Sequence, residues 1–183
     1  MKHVMHDLET LDVVPGAAIL SIGAVEFDPS TAKLGRTFYQ VISLGSYLDA
    51  GLTVSPGTLR WWMQQSDAAR QVFTDPGAVE LDSALHGFNV WLDDVRADDE
   101  LNLWGNGSNF DNVLLREAYE TLGIVPAWSP FEDRCYRTLK NLFPHIEMAR
   151  SGTHHNALDD ACTQARHAID LLRAVQQLKG GAW

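Results

Sequence analysis

Acidic side chains occur within the most apolar segments of this chain, and any fold it adopts has to accommodate them. Asp7 and Glu9 stand two residues apart in the apolar opening segment, and Asp111 follows a later apolar segment. A His-x4-Asp pair, His155 and Asp160, completes the series. A polypeptide has little structural reason to place carboxylates in such segments, whereas a site for divalent cations requires them. The order Asp-x-Glu, Asp, His-x4-Asp therefore predicts a fold that brings these distant side chains together.

Length and composition predict a single soluble domain over residues 1–183. Hydrophobic residues make up 45% of the chain, which is enough for a full core. The opening residues lack a signal-peptide profile, and the longest apolar stretch, residues 16–25, is too short to span a bilayer. Two cysteines, Cys135 and Cys162, suit a reducing compartment. We therefore expect a cytoplasmic protein, of a bacterium or a phage-infected host cell, without a membrane partner.

The charge distribution bears on nucleic-acid partners. The net charge is −10, from 24 acidic and 14 basic residues, which disfavours a protein that holds long nucleic acid through many phosphate contacts. It is compatible with an enzyme that handles one strand end, because cations in the site supply local positive charge. Basic residues cluster late in the chain, at Arg134, Arg137, Lys140 and Arg150. They form either a phosphate-contacting surface or a solvated helix face.

Hydrophobic patterns and turn residues predict three early strands, then helices and one further strand. Strands are expected at residues 3–9, 17–27, 37–43 and 101–104. Helices are expected at residues 55–65, 67–73, 78–95, 109–122, 133–143 and 156–178, with a loop at 144–153 and Gly180-Gly181 after the last helix. This order predicts an α/β fold in which helices flank one mixed sheet.

The first predicted strand ends in Asp7 and Glu9. Residues two apart on a strand project from the same face, so both carboxylates can reach one site. Their oxygens suit Mg²⁺ or Mn²⁺. The alternative, a pair of solvated strand-end acids, is weakened by the apolar neighbours Val4, Met5 and Leu8.

Asp111 lies in the first turn of a predicted helix. A carboxylate there is favoured by the helix dipole, so a role as a helix-start residue competes with a role as a metal ligand. Asn109 is the better N-cap residue, which leaves Asp111 available for metal.

His155 is expected on a mobile loop before the final helix, and Asp160 in the second turn of that helix. A loop imidazole with a pKa near ~6.5 suits a general base that approaches a water molecule. His154 and Asp159 are adjacent rivals. Successive helical residues are rotated by roughly 100°, so Asp159 is expected to be a solvated first-turn acid rather than a second ligand beside Asp160.

Together these residues predict two-metal hydrolysis of a phosphodiester. Two Mg²⁺ or Mn²⁺ ions would activate water and stabilise the leaving 3′-oxygen during in-line attack. Asp7 would bridge both ions, and His155 would deprotonate the water. Three further acids would complete the coordination: Glu9, Asp111 and Asp160.

Two adjacent tryptophans, Trp61 and Trp62, lie in the helix predicted at residues 55–65. They point about 100° apart on a helix, so one can lie in the core while the other is exposed for stacking on a base. Packing or a subunit contact is the competing interpretation. Trp91 and Trp104 are expected in the core.

These motifs resemble those of the DEDDh branch of the DEDD 3′–5′ exonucleases, which have an RNase H-like fold. DLET at residues 7–10 is similar to the first motif, NFD at 109–111 to the second, and HNALDD at 155–160 to the third. The resemblance extends over about residues 3–175. Within the branch, the phrases GAAILSIGAVEF, LRWW, WGNGSNFDN and HNALDDACTQA are most similar to the phage exonuclease A and RNase AS group.

The resemblance implies a 3′–5′ exonuclease that releases nucleoside 5′-monophosphates from single-stranded RNA or DNA, with two metal ions on the four acids and His155 as the base. It also implies that Thr10 and Leu11 line the terminal nucleotide. Homodimers are common in this group, so a homodimer is a possible assembly. One position departs from the pattern. Many members carry Asn four residues before the second-motif Asp, where this chain has Gly107, flanked by Asn106 and Asn109.

Two other functions compete with this interpretation. A nucleic-acid-binding domain could keep the fold without turnover, although the complete set of acids together with His155 argues against it. A metal-dependent phosphohydrolase could act on small nucleotides instead of on a strand. A calorimetric metal titration distinguishes the exonuclease from the binding domain. Release of mononucleotides from an end-labelled oligomer, without hydrolysis of free nucleotide diphosphates, excludes the phosphohydrolase.

Overall fold

A five-stranded sheet forms the centre of the part of the chain that the structure describes, residues 1–107 and 109–180. The structure is a computed structural model, and its description of Lys179 is confined to the backbone. The strands are β1 Lys2–Thr10, β2 Ile19–Asp28, β3 Lys33–Val41, β4 Leu101–Gly105 and β5 Asp133–Cys135. The helices are α1 Leu44–Asp49, α2 Pro56–Trp62, α3 Asp67–Arg70, α4 Leu81–Arg96, α5 Asp111–Thr121, α6 Tyr136–Leu142 and α7 Ala157–Lys179, with 3-10 turns at Gln71–Phe73 and Pro130–Glu132.

β1 is the central strand of the order β3-β2-β1-β4-β5. It pairs antiparallel with β2 along its length, and parallel with β4 from Lys2 opposite Leu101 to Met5 opposite Trp104. β4 and β5 are also parallel, so the sheet is mixed. The pairing of β1 with β4 ends at Met5 and Trp104, whereas β1 continues to Thr10. In α/β sheets, ligands bind in a crevice outside the carboxyl ends of the strands.

Side chains alternate along β1, and this alternation assigns its two acids to one face of the sheet. Val4 and Leu8 belong to a core shared with α4 and α5, whereas Met5 belongs to a second core shared with α6 and α7. Asp7 and Glu9 have the parity of Met5 and therefore project toward α7. This is the same-face arrangement expected from their spacing.

Three short segments differ from the expectation. β3 begins at Lys33 instead of residue 37, because residues 33–36, although turn-like in composition, continue the ladder with the end of β2. α1 has no counterpart among the predicted elements, since six residues are too few to display a helical period. Residues 133–135 form β5 instead of the start of a helix, because they pair with β4.

The predicted architecture, one α/β domain with helices around a mixed sheet, is confirmed. Gly180 ends α7 in the left-handed conformation, with a φ of 65°. Its predicted companion Gly181 lies outside the described residues. Among the described helices, none combines the length and the apolar character needed to cross a membrane.

Candidate active site

Three carboxylates converge where α7 passes over the end of β1. Asp7 and Glu9 project from the strand, and Asp160 lies near the start of the helix. One side-chain oxygen from each of the three lies within 4.8 Å of the others. Glu9 is 6% exposed and Asp160 is 9% exposed. The structure therefore brings residues from the two ends of the sequence into one enclosed acidic cluster.

A glycine on β2 sets the distance between α7 and the sheet. Gly23 is the residue paired with Asp7. A Cβ atom at Gly23 would lie 2.2 Å from the carbonyl carbon of Ala157 and 2.2 Å from the amide nitrogen of Leu158. The backbone of α7 thus rests directly on β2 beside Asp7, and this contact holds Asp160 over the acids of β1.

Asp111 lies beside the ends of β1 and β4, and it is not part of the three-acid group within 4.8 Å. Its Oδ1 accepts a hydrogen bond from the backbone N–H of Leu8 at 3.3 Å, and its Oδ2 accepts one from the N–H of Asn106 at 2.6 Å. The carboxylate therefore links β1 to the residue that follows β4, and it is 1% exposed. Each oxygen retains a lone pair that a cation can use.

The expected N-cap role of Asn109 is wrong. The residue that precedes α5 is Phe110, and among the residues that the structure describes no side-chain hydrogen bond caps this helix. The reason is tertiary, since Asp111 at the first helical position holds backbone groups of β1 and of residue 106 instead of its own helix start.

The acids share a dehydrated environment of like charge. Burial raises the pKa of Asp7 well above its usual value, and the charges of Asp111, Glu9 and Asp160 add to the rise. Burial, again reinforced by Asp160 and Asp111, raises the pKa of Glu9 to about 8. Burial also raises the pKa of Asp111. Carboxylates in such a cluster hold protons unless cations replace them, so this donor set fits divalent cations that prefer oxygen ligands.

Gln164 also belongs to the site, although no motif identifies it. Its Nε2 donates a hydrogen bond to Asp7 Oδ1 at 2.7 Å, and the side chain is 6% exposed. Gln164 follows Asp160 by four residues on α7, so both project from the same helix face. That spacing is the sequence signal that could have revealed it.

His155 packs between two aromatic neighbours at the entrance to α7. Its ring stacks on His154 with centroids 3.7 Å apart, and it meets Trp61 edge-on at 4.7 Å. Its backbone N–H donates to Asp160 Oδ2 at 3.0 Å, and its φ is 64°. Ring nitrogens of His154 and His155 both lie within 4.8 Å of an Asp160 oxygen. The structure therefore keeps both histidines next to the acids.

The electrostatic surroundings of His155 favour the neutral imidazole. Burial lowers its pKa, and the neighbouring His154 lowers it further, whereas Asp160 opposes the shift. A neutral ring at physiological pH can accept a proton, as a general base must.

Asp159 is not the solvated acid that its position suggests. Its Oδ2 accepts a hydrogen bond from the backbone N–H of Thr153 at 2.7 Å. The carboxylate packs against Gly152, where a Cβ atom would lie 2.3 Å from Asp159 Cγ and where φ is +80°. Asp159 therefore shapes the loop that carries His155, and the three-acid cluster around Asp7 does not include it.

Asp160 pairs with a basic residue, Arg150, on the loop that carries His155. Arg150 Nη1 donates to Asp160 Oδ1 at 2.9 Å, and the Arg150 side chain is 51% exposed. The two oxygens of Asp160 are thus divided between the backbone of His155 and Arg150. By contrast, Arg134 donates to the backbone carbonyls of residues 131 and 133.

A cavity of about 380 Å³ opens beside the acids. Its lining comprises Leu8, Glu9, Thr10, Val13, Gly57, Thr58, Trp61 and Phe110. Trp61 is 39% exposed, whereas Trp62 is 1% exposed and its Nε1 donates to the carbonyl of Thr10 at 2.9 Å. This is the division between exposed and core tryptophan expected from helical geometry. Leu11, at 2% exposed, packs in the core behind the cavity.

The cavity lining divides the four predicted substrate contacts into two groups. Thr10 and Trp61 line the cavity, whereas Leu11 and Trp62 are enclosed and support it from within the core. Trp104 is in the core as expected, and Trp91 packs against the core while remaining partly exposed.

Comparison with known proteins agrees with this geometry. A family model for the 3'-5' exoribonuclease Rv2179c-like domain matches residues 2–172. The chain belongs to this family. A search of curated proteins gave no significant match. The Rv2179c-like assignment covers β1 through most of α7, and therefore every candidate site residue.

Solved structures share the fold of this Rv2179c-like domain. The nuclease domain of 3'hExo, a DEDDh family member bound to rAMP, has a TM-score of 0.65 at 16% identity, over 94% of this chain and 92% of that chain. Cell-death related nuclease 4 has a TM-score of 0.64 at 13% identity, over 94% of this chain and 64% of that chain. E. coli Exonuclease I with an oligonucleotide has a TM-score of 0.62 at 14% identity, over 97% of this chain and 41% of that chain. The fold is therefore the RNase H-like fold of DEDDh exonucleases, and the narrower kinship with exonuclease A and RNase AS stays a prediction.

Proposed function

We propose that the protein is a metal-dependent 3′–5′ exonuclease that removes nucleotides from the end of single-stranded RNA or DNA. The observation that carries the proposal is the convergence of Asp7, Glu9 and Asp160 within 4.8 Å, beside His155. Membership of a 3'-5' exoribonuclease family supports it and favours RNA as the substrate.

Four acids would hold two Mg²⁺ or Mn²⁺ ions: Asp7, Glu9, Asp111 and Asp160. The raised pKa values of Asp7, Glu9 and Asp111 support this role, since cations would relieve the repulsion that burial intensifies. Bound divalent cations lower the pKa of an attacking water and stabilise charge on the leaving oxygen. Gln164 would fix the orientation of Asp7 through the 2.7 Å hydrogen bond.

His155 would take the proton from the attacking water. Its lowered pKa keeps the imidazole neutral, and its packing between His154 and Trp61 limits the positions of the ring. The water oxygen would form a new bond to the terminal phosphorus, while the bond from that phosphorus to the 3′-oxygen of the preceding nucleotide breaks. The product is a nucleoside 5′-monophosphate, and the shortened strand keeps a 3′-hydroxyl.

The terminal nucleotide would occupy the cavity beside Glu9, with Thr10 and Trp61 contacting it. Aromatic stacking on a base contributes about 1–3 kcal/mol in proteins that bind single strands. Among the structural neighbours, the 3'hExo domain binds rAMP and Exonuclease I binds an oligonucleotide, which supports a nucleotide in this position. Leu11 and Trp62 would act indirectly, by supporting the cavity from the core.

A cytoplasmic location and a homodimer belong to the same proposal. Cys135 and Cys162 are both unpaired, which is compatible with a reducing compartment. Leu59 and Met63 on or beside α2 are 39% and 74% exposed, and they offer an apolar surface for a second copy.

Digestion of matched 3′-labelled and 5′-labelled oligonucleotides, as RNA and as DNA, tests the proposal. With Mg²⁺ or Mn²⁺, a 5′-labelled strand should shorten stepwise, a 3′-labelled strand should release labelled mononucleotide at once, and EDTA should stop both reactions. Asp7→Ala and Asp160→Ala should abolish turnover. Asp49→Asn, an exposed acid on α1, is the matched control and should retain full activity.

The same assay separates the competing functions. An idle binding domain would retain the oligonucleotide without shortening it. A small-nucleotide phosphohydrolase would hydrolyse nucleotides and leave the strand intact. Either result would refute the exonuclease mechanism. An Asp7→Ala variant whose activity persists in EDTA would also refute it.

A further inference from the structure

Arg150 occupies a carboxylate oxygen that the proposed cations need. Its guanidinium donates to Asp160 Oδ1 at 2.9 Å, while Asp160 Oδ2 accepts from the backbone of His155. Asp160 is 13% exposed in its side chain, and Arg150 is 51% exposed. The ion pair therefore joins an enclosed acid to a solvated, long and flexible base.

We propose that Arg150 is a displaceable counter-ion, which neutralises Asp160 before cations bind and then contacts a phosphate of the substrate strand. The phosphate contact, which is the second half of the proposal, rests on the exonuclease function proposed above. The competition between Arg150 and cations for Asp160, which is the first half, concerns cation binding alone and is independent of turnover.

The loop is anchored without Arg150, so the side chain can leave Asp160 while the backbone stays. Thr163 on α7 accepts a hydrogen bond from the N–H of Ser151 and donates one to the carbonyl of Ser151, at 3.3 and 3.1 Å. The N–H of Thr153 is held by Asp159 at 2.7 Å. Among the described residues, Asp160 is the hydrogen-bonding partner of Arg150.

The position of the loop directs the released guanidinium to the substrate. Arg150 precedes His155 on this loop and helps to lower the pKa of its imidazole, so its charge reaches the reacting region. The surrounding acids repel a strand, and the chain carries a net charge of −10. A planar guanidinium is well suited to phosphate, which it can bind through two parallel hydrogen bonds.

Calorimetric titration of the full chain with Mn²⁺ tests the first half. Arg150→Gln removes the competitor, so Mn²⁺ should bind about twofold to fivefold more tightly, the range for a partly exposed ion pair. Arg166→Gln is the matched control, because Arg166 contacts the same loop through Ser151 Oγ at 2.8 Å, and within the described part of the chain no hydrogen bond or ion pair joins it to the acids. Unchanged or weaker Mn²⁺ binding by Arg150→Gln would overturn the proposal and would instead indicate that Arg150 orients Asp160.

Oligonucleotide binding by fluorescence anisotropy in Ca²⁺ tests the second half, over a range of salt concentrations. Arg150→Gln should weaken binding and reduce the slope of log K against log salt by about 0.7, the value for one phosphate contact on a single strand. A slope equal to that of the wild type would overturn the phosphate contact. A wild-type protein that binds Mn²⁺ and oligonucleotide without cutting would refute the exonuclease and leave both Arg150 results readable.

Discussion

At the scale of single residues, two stacked histidines compete for the role of the proposed general base. Both lie near Asp160, but His155 is also held by Trp61, whereas His154 is exposed. We expect His155→Ala to lower kcat about 10²–10⁴-fold, the usual range for a lost general base, and His154→Ala to lower it less than tenfold. Single-turnover kinetics on a labelled oligonucleotide would measure both. The reverse order of effects would transfer the role to His154.

The residues that sequence reasoning found and missed differ in one respect. Asp7, Glu9 and Asp160 are visible because acids stand out in apolar segments and because strand spacing predicts their common face. The four-residue spacing from Asp160 to Gln164 is present in the sequence, but an amide on a helix is unremarkable until its partner Asp7 is known. Arg150 is predicted as a member of the basic cluster, but its ion pair with Asp160 is a tertiary contact that no local pattern indicates.

At the scale of elements, the contact between β2 and α7 positions the site. Gly23→Ala would place a methyl group against the backbone of Ala157 and Leu158, so α7 has to move. We expect the free energy of unfolding to fall by about 3 kcal/mol or more. A shift of about 1 Å would lower kcat about 10²-fold even in folded protein.

Urea denaturation and the oligonucleotide assay measure these two effects. Gly45→Ala is the matched control, because a Cβ atom at this exposed position on α1 meets no atom within 4 Å. Wild-type stability and activity in Gly23→Ala would show that α7 does not depend on the close approach.

The elements that sequence reasoning placed well are the long ones. The periodic apolar positions of α4 and α7 and the apolar run of β2 identify each element without tertiary information. β5 has three residues and forms by parallel pairing with the edge of β4, so no local sequence pattern predicts it. The start of β3 likewise depends on pairing with β2 more than on its own composition.

At the scale of the whole molecule, the acidic cluster makes stability depend on pH and on metal. The pKa of Glu9 is about 8 in the folded state, above its unfolded value near ~4.3. Its contribution to the free energy of unfolding is therefore fully present at low pH and is lost as pH rises toward 8. For His3 the dependence on pH is opposite: burial lowers its pKa to about 4, so its contribution to the free energy of unfolding is lost only as pH falls below ~6.5.

In the window from pH 6.5 to 8, Glu9 therefore loses its proton while His3 stays neutral. In EDTA, Tm should fall across this window by about 4–8 °C, since the loss of one proton over it amounts to about 2 kcal/mol. Mg²⁺ should remove the fall, and Asp7→Asn should reduce it by taking one charge from the cluster. Scanning calorimetry measures each case, and a Tm that is level or rising in EDTA would contradict the assigned repulsion.

The hydrogen bond from Gln164 to Asp7 joins positions 157 residues apart. A ribosome releases β1 early, yet Asp160 and Gln164 emerge only when most of the polypeptide has been translated. We therefore expect a nascent chain that lacks α7 to hold only part of the proposed metal site and to have no exonuclease activity.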